Sequence, residues 1–207
     1  MHTVKGVTTN TIDINKSIFI TSVFSVSSVN EVTKYLNETR KKYYDAKHNC
    51  YAYIIGDEQN IQKANDDGEP SKTAGFPMLN VLKKRELTNI LVITTRYFGG
   101  IKLGAGGLIR AYGSSVSLAL EKANTYHFEI ETKLIINFDY STYNSFINSN
   151  HPLTISNTSF SDLVTVTASI SKNLLDEFIK DLDNILLGNK TYQILEDYKT
   201  LVLDKKK

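Results

Sequence analysis

The stretch Arg96–Leu108, RYFGGIKLGAGGL, limits what this chain can fold into more than any other. Five of the chain's eleven glycines lie in it: Gly99, Gly100, Gly104, Gly106 and Gly107. The apolar run from Ile90 to Thr94 precedes them. Leu108, Tyr112, Val116, Ala119 and Ala123 follow at helical spacing. The order predicts strand, glycine-rich loop, helix. Glycine takes positive φ without steric cost and lets another group approach the main chain closely. A helix start adds unpaired N–H groups and a partial positive charge. Arg96, Lys102 and Arg110 supply three full charges. This pattern points to an anion site, phosphate foremost. Read without a ligand, the same glycines serve a tight turn and close helix–strand packing. The spacing matches neither the Walker A motif nor the dinucleotide fingerprint G-x-G-x-x-G.

Charge is unevenly spread. The net formal charge is only +2. Residues 1–128 carry a balance of +5 and residues 129–207 one of −3. Ten of the eleven glycines also lie in the first part. Two domains are therefore expected, 1–128 and 129–207, and a phosphate-bearing partner would be steered to the first. No apolar run approaches the ~20 residues a membrane span needs, and the N-terminus lacks the order of a secretory signal. One cysteine, Cys50, excludes an internal disulfide and a multi-cysteine zinc site. It stands in an apolar run and reads as a core residue. A cytoplasmic location is expected.

Local patterns place the elements. Ile18–Ile20 and Val23–Val26 read as strand. Ser28 with Glu31 forms a capping-box pattern before an amphipathic helix. Asn49–Ile55 reads as a strand, Ile61–Ala64 as its short partner, and Asp66–Gly75 as a loop. Pro77 suits the first turn of a helix reaching Arg85. In the second part, strand 133–138, helix 143–148, strands 153–160 and 163–170, a helix ending at Gly188 and strand 191–195 give the order β-α-β-β-α-β. That order is the ferredoxin-like unit. Asp204 to Lys207 read as a frayed tail.

Several residues could carry chemistry. Asp66, Asp67 and Glu69 could hold Mg²⁺ while phosphate completes its shell. They could equally form a solvated turn, or pair with Arg96 or Lys102 and so position the two loops. His48 opens the strand that carries Cys50 and is a candidate ligand or base. A hydrogen bond to nearby backbone is its plainer use. Tyr97 and Phe98 would stack on bases if exposed and anchor the core if buried. Ser71 and Thr73 lack a nucleophile-elbow context.

The strings DAKHNCYAY (Asp45–Tyr53), DDGEPSKTAG (Asp66–Gly75) and LTNILVITTRYFGGIKLGAGGLIRAYG (Leu87–Gly113) closely resemble the YigZ/IMPACT family. Two positions depart from the family pattern. Lys72 stands where the family carries glycine, and Phe76 where it often carries lysine. The resemblance implies an α+β fold of two domains. The first would be similar to a domain shared by a small-subunit ribosomal protein, the GHMP kinases and domain IV of elongation factor G. The second would be ferredoxin-like. The resemblance also implies binding of RNA or the ribosome, with translational regulation through a protein partner in eukaryotic relatives, and no established catalysis.

Together these lines give a leading expectation: a translation-linked protein that binds RNA or the ribosome. Its phosphate-binding set would be Lys72, Arg96, Lys102 and Arg110 with the five loop glycines, joined by His48, Tyr97 and Phe98. The alternatives are a Mg²⁺-dependent enzyme acting on a phosphorylated small molecule or nucleotide, and a protein-interaction module.

Overall fold

The computed structural model describes residues 1–187 and 191–204. In chain order the elements are β1 (His2–Val4), β2 (Val7–Ile14), β3 (Ser17–Ser25), α1 (Val29–Lys42), β4 (His48–Ile55), β5 (Ile61–Asn65), α2 (Gly75–Lys84), β6 (Ile90–Tyr97), α3 (Gly104–Lys122) and β7 (Thr125–Phe138). They continue with α4 (Tyr140–Ile147), β8 (Thr154–Phe160), β9 (Val164–Ser171), α5 (Lys172–Ile185) and β10 (Tyr192–Leu203). The chain divides into two compact units. One is Met1–His127 with the chain's end from Leu203, and the other is Phe128–Val202.

The first unit is an antiparallel sheet in the order β2-β3-β6-β4-β5. Helices α2 and α3 cover one face, where Phe19, Cys50, Ile54, Met78, Leu82, Val92, Tyr112 and Val116 form the larger core. Helix α1 covers the other, burying Val32 and Leu36 against Phe24, Tyr51, Tyr53, Leu91 and Ile93. Strands β4 and β6 are thus buried on both faces, which is why they read as unbroken apolar runs. Ser28 caps α1 by accepting from the Glu31 N–H at 3.3 Å. The Glu31 carboxylate returns the bond to the N–H of Ser27, at 2.6 Å, one residue before the cap.

Two strands escape the sequence patterns. β2 (VTTNTIDI) is an edge strand dominated by threonine, asparagine and aspartate. It is held by eight-residue pairing with β3, and only Ile12 and Ile14 at its end pack against the larger core. β1 is three residues long and pairs with Thr125–His127. Helix α3 begins at Gly104, four residues before the expected start, so Gly104, Gly106 and Gly107 form its first turn rather than a loop. Helix α2 likewise begins at Gly75, which makes Pro77 its third residue.

In the second unit β10-β7-β9-β8 is the strand order, with α4 and α5 packed on one face. That is the ferredoxin-like arrangement. Leu134, Ile136, Phe138, Phe146, Val166, Ile170, Phe178 and Leu182 make its core. Asp139 caps α4 by accepting from the Thr142 N–H at 2.8 Å. The expected end of α5 at Gly188 lies outside the described residues, as do Lys205–Lys207 of the expected tail. Asp204 is not frayed. Its carboxylate bonds His2 Nδ1 at 3.0 Å and His127 Nδ1 at 2.7 Å, and its N–H donates to Thr125 at 2.9 Å.

Gly99 lies against the turn between β2 and β3. A Cβ there would overlap the Lys16 carbonyl and the Ser17 nitrogen, backbone atoms held by the hairpin. We expect Gly99→Ala to lower unfolding free energy by about 2 kcal/mol or more, measured by urea denaturation.

Candidate functional site

Arg96 is the last buried residue of β6 and is only 6% exposed. Its Nη1 donates to Glu69 Oε1 at 2.7 Å and its Nη2 to Ser17 Oγ at 3.3 Å, while Nε is buried without a partner among the described residues. Glu69 Oε1 also accepts from the Tyr112 hydroxyl of α3 at 2.8 Å. The Gly99 N–H donates to the same Ser17 Oγ at 3.2 Å. Arg96 was expected to meet phosphate in the open; instead it is sheltered, and its charge is balanced by one of the chain's own carboxylates. This connects the acidic loop, β3, β6, the glycine loop and α3 through one buried ion pair.

The three acidic residues do not converge on a metal. Among the described residues no group of three potential ligands gathers. Asp66 closes the start of α2. Its Oδ1 accepts the N–H groups of Ala74 and Gly75, each at 2.9 Å, and its Oδ2 that of Lys72 at 2.8 Å. Asp67 accepts from Arg40 at 3.1 Å and from the Asn49 N–H at 2.7 Å. Glu69 faces Arg96. Each carboxylate is turned to a different partner because the loop folds back across β4, and adjacency in sequence does not survive that turn.

His48 Nδ1 bonds the Asp67 carbonyl at 2.9 Å, fixing the same loop. Tyr97 donates to Asp45 Oδ1 at 2.7 Å, and that carboxylate pushes its phenol up to about 12. The tether ties Tyr97 to the loop before β4 rather than offering it to a base. Phe98 is different: it is 56% exposed, with the Arg96 guanidinium 5.7 Å from its ring centre. Cys50 is fully buried beside the Asp66 carbonyl and the Tyr112 hydroxyl, and burial pushes its thiol up to about 12.

The start of α3 is the counterpart of α2 without its plug. Its N-cap position, Leu103, offers no side-chain hydrogen bond, and no acidic residue lies in the first turn. Gly104, Ala105 and Gly106 are exposed. Lys102 is exposed just before them. Arg110 is exposed as well, and its guanidinium reaches back to within 3.8 Å of where a Cβ on Gly106 would sit. Gly100 and Gly104 adopt φ of 86° and 67°, the left-handed turn by which the chain enters the helix. Glu69, Arg96, Phe98, Lys102, Gly104 and Leu108 are among the residues lining a pocket of about 220 Å³ at this point. Lys72 is exposed on the neighbouring loop. Tyr112 and Ser17 were not anticipated as part of this arrangement. Tyr112 stands in the apolar stripe of α3, where only its hydroxyl hints at a polar partner, and nothing local marks Ser17.

Two consequences are measurable. Lys72 holds φ of 62°, a conformation that costs a side-chain-bearing residue about 1–2 kcal/mol. Lys72→Gly relieves that cost, against about 0.5–1 kcal/mol of added chain entropy, so a net gain of about 0.5–1 kcal/mol is expected in denaturant titration. Burial disfavours the Cys50 thiolate, so alkylation by iodoacetamide at pH 8 is expected to proceed only at the rate of unfolding. Fast labelling of the native protein would contradict its placement.

Comparison with known proteins gives the chain a family. The Impact N-terminal domain model matches residues 15–120. The IMPACT family member YvyE of Bacillus subtilis is 50% identical over 139 residues, covering 67% of this chain and 64% of that one. A Haemophilus influenzae IMPACT family member is 30% identical over 189 residues, covering 89% and 91%. The matched segment thus spans somewhat under two thirds of the Bacillus relative and nearly all of the Haemophilus one. A solved structure titled as a hypothetical protein covers 100% of this chain and 98% of its own, at 26% identity and a TM-score of 0.59. That likeness extends over both units. The chain belongs to the IMPACT family.

Proposed function

We propose that this protein is a translation-linked regulator whose first unit grips the phosphate backbone of single-stranded RNA at the start of α3. The observation that carries this reading is the contrast between two helix starts in one unit. The N–H groups of Ala74 and Gly75 at α2 are taken by the Asp66 carboxylate, while no side chain caps α3, whose exposed first residues lie beside Lys102 and Arg110. Open N–H groups, a helix dipole and two cations suit a phosphate. Exposed Phe98 beside them suits a base freed from pairing, since stacking on an aromatic ring needs an open base face. Family membership supports the link to translation. Arg96 contributes by holding Glu69 and the loop in place rather than by touching RNA. Lys72 adds charge from the adjacent loop.

No helix among the described residues is long and apolar enough to cross a membrane. Phosphate contacts make affinity depend on salt. We expect labelled single-stranded RNA to bind with an affinity that falls steeply with rising salt, read by fluorescence anisotropy. Lys102→Glu with Arg110→Glu should lower affinity at least about tenfold and flatten the salt dependence by about two phosphate contacts. Phe98→Ala should weaken binding by about fivefold or more without changing the salt dependence. Lys83→Glu with Lys84→Glu, on the far end of α2, serves as the control. Wild-type protein that fails to bind, or binding unchanged in the Lys102 and Arg110 variant, would overturn the reading.

A further inference from the structure

The pocket beside the start of α3 contains a carboxylate oxygen that the rest of the chain does not use. The Glu69 side chain is only 4% exposed, and Glu69 lines that pocket. Its Oε1 accepts from both Arg96 and Tyr112, while its Oε2 accepts from none of the described residues. Four side-chain polar atoms among the described residues are sealed from solvent without a partner: Thr3 Oγ1, Arg96 Nε, His151 Nε2 and Asp183 Oδ1. Glu69 Oε2 is not one of them, so it keeps an opening, and the pocket is what Glu69 opens onto. A polar atom sheltered this far from water costs free energy until it is hydrogen-bonded. An oxygen placed in this way suits a ligand that brings donors.

We propose that this pocket takes an unpaired guanine base, whose N1–H and N2–H groups donate to Glu69 Oε2. The proposal rests on the RNA reading above and names the base that reading leaves open. The walls fit a flat ring: Pro70, Phe98, Leu103 and Leu108 are apolar, and Phe98 is more than half exposed. The volume of about 220 Å³ is below the ~300–1,000 Å³ of a cleft for a whole small molecule. It suits a single base, with sugar and phosphate left outside. Lys102 and Gly104 line the same pocket and are exposed, so the phosphate of that nucleotide stays within reach of the helix start.

The donor pattern decides which base. A carboxylate oxygen offers lone pairs and no proton. Guanine sets two donors side by side on its pairing edge, and both converge on one oxygen. Adenine and cytosine set a ring-nitrogen lone pair beside the amine, and uracil flanks its N–H with carbonyl oxygens. Each of these brings a lone pair against an anion sheltered from water, where repulsion is least screened. The pairing edge is free only in an unpaired strand, where stacking on an aromatic ring and recognition of the edge act together. The bonds from Arg96 and Tyr112 hold the carboxylate in one orientation, so the acceptor is set before the base arrives.

Fluorescence anisotropy with the wild-type chain tests this, using short labelled oligouridylates that carry one central guanosine, adenosine, cytidine or N1-methylguanosine. The guanosine strand should bind at least about tenfold more tightly than the others. N1-methylguanosine should fall with adenosine, because its methyl group blocks the edge while the ring still stacks. Salt dependence should be the same for every strand, since the phosphate contacts do not change. Glu69→Gln keeps an oxygen for Arg96 and Tyr112 and turns an amide donor to the pocket. It should bring the guanosine strand down to the level of the adenosine strand. If that variant fails to fold, the N1-methylguanosine strand decides. Equal, salt-dependent affinity for all strands would overturn the guanine assignment and leave the phosphate grip standing, whereas no binding of any strand would overturn both. A preference that N1-methylguanosine shares, or that a folded Glu69→Gln protein keeps, would also overturn the assignment.

Discussion

The buried contact between Arg96 and Glu69 organises the first unit's functional end. Removing one member of such a pair strands a charge in low dielectric, at a cost of about 3–5 kcal/mol. Here the pair also has hydrogen-bonding company. Tyr112 donates to the same carboxylate oxygen, and Ser17 bonds both the guanidinium and the Gly99 N–H. One cluster therefore fixes the acidic loop against β6, the glycine loop against the β2–β3 turn, and α3 against both. The open start of α3 is held in place by groups that are themselves closed to solvent.

That division explains the roles of residues of like charge. Arg96 and Lys102 lie six positions apart, yet one is neutralised inside and the other projects outside. The three neighbouring carboxylates divide in the same way: Asp66 substitutes for a missing cap on α2, Asp67 ties α1 to β4, and Glu69 answers Arg96. An acidic cluster that could have bound a cation serves as internal bracing. The bracing leaves the neighbouring helix start without a capping side chain.

Lys72 shows how local strain sits beside this bracing. Its backbone is left-handed, yet its N–H is held by Asp66. The loop keeps its shape because the carboxylate binds backbone groups, which lysine supplies as well as glycine would. The charge of Lys72 is exposed as a result, and it joins the basic side of the loop.

Much of this was legible in the linear chain. Strands β4 and β6 are apolar without interruption because both faces are covered, and α3 carries a clean stripe because one face is. The second unit's alternation of strands and helices is local patterning throughout, so its order could be read directly. β2 could not, because a mostly polar edge strand depends on pairing with β3 and on Ile12 and Ile14 meeting a core built from distant residues. The extension of α3 back to Gly104 was hidden by glycine's poor helix propensity, which the packing of Leu108 and Tyr112 overrides. What the sequence by itself determined was the glycine-rich strand-to-helix junction and the basic character around it, since both depend on residue types at close spacing. What only the tertiary structure decided was which charges face water. Partners such as the ion pair Arg96 and Glu69, or the hydrogen-bonded Cys50 and Tyr112, lie far apart along the chain, and their burial depends on contacts that no local pattern encodes.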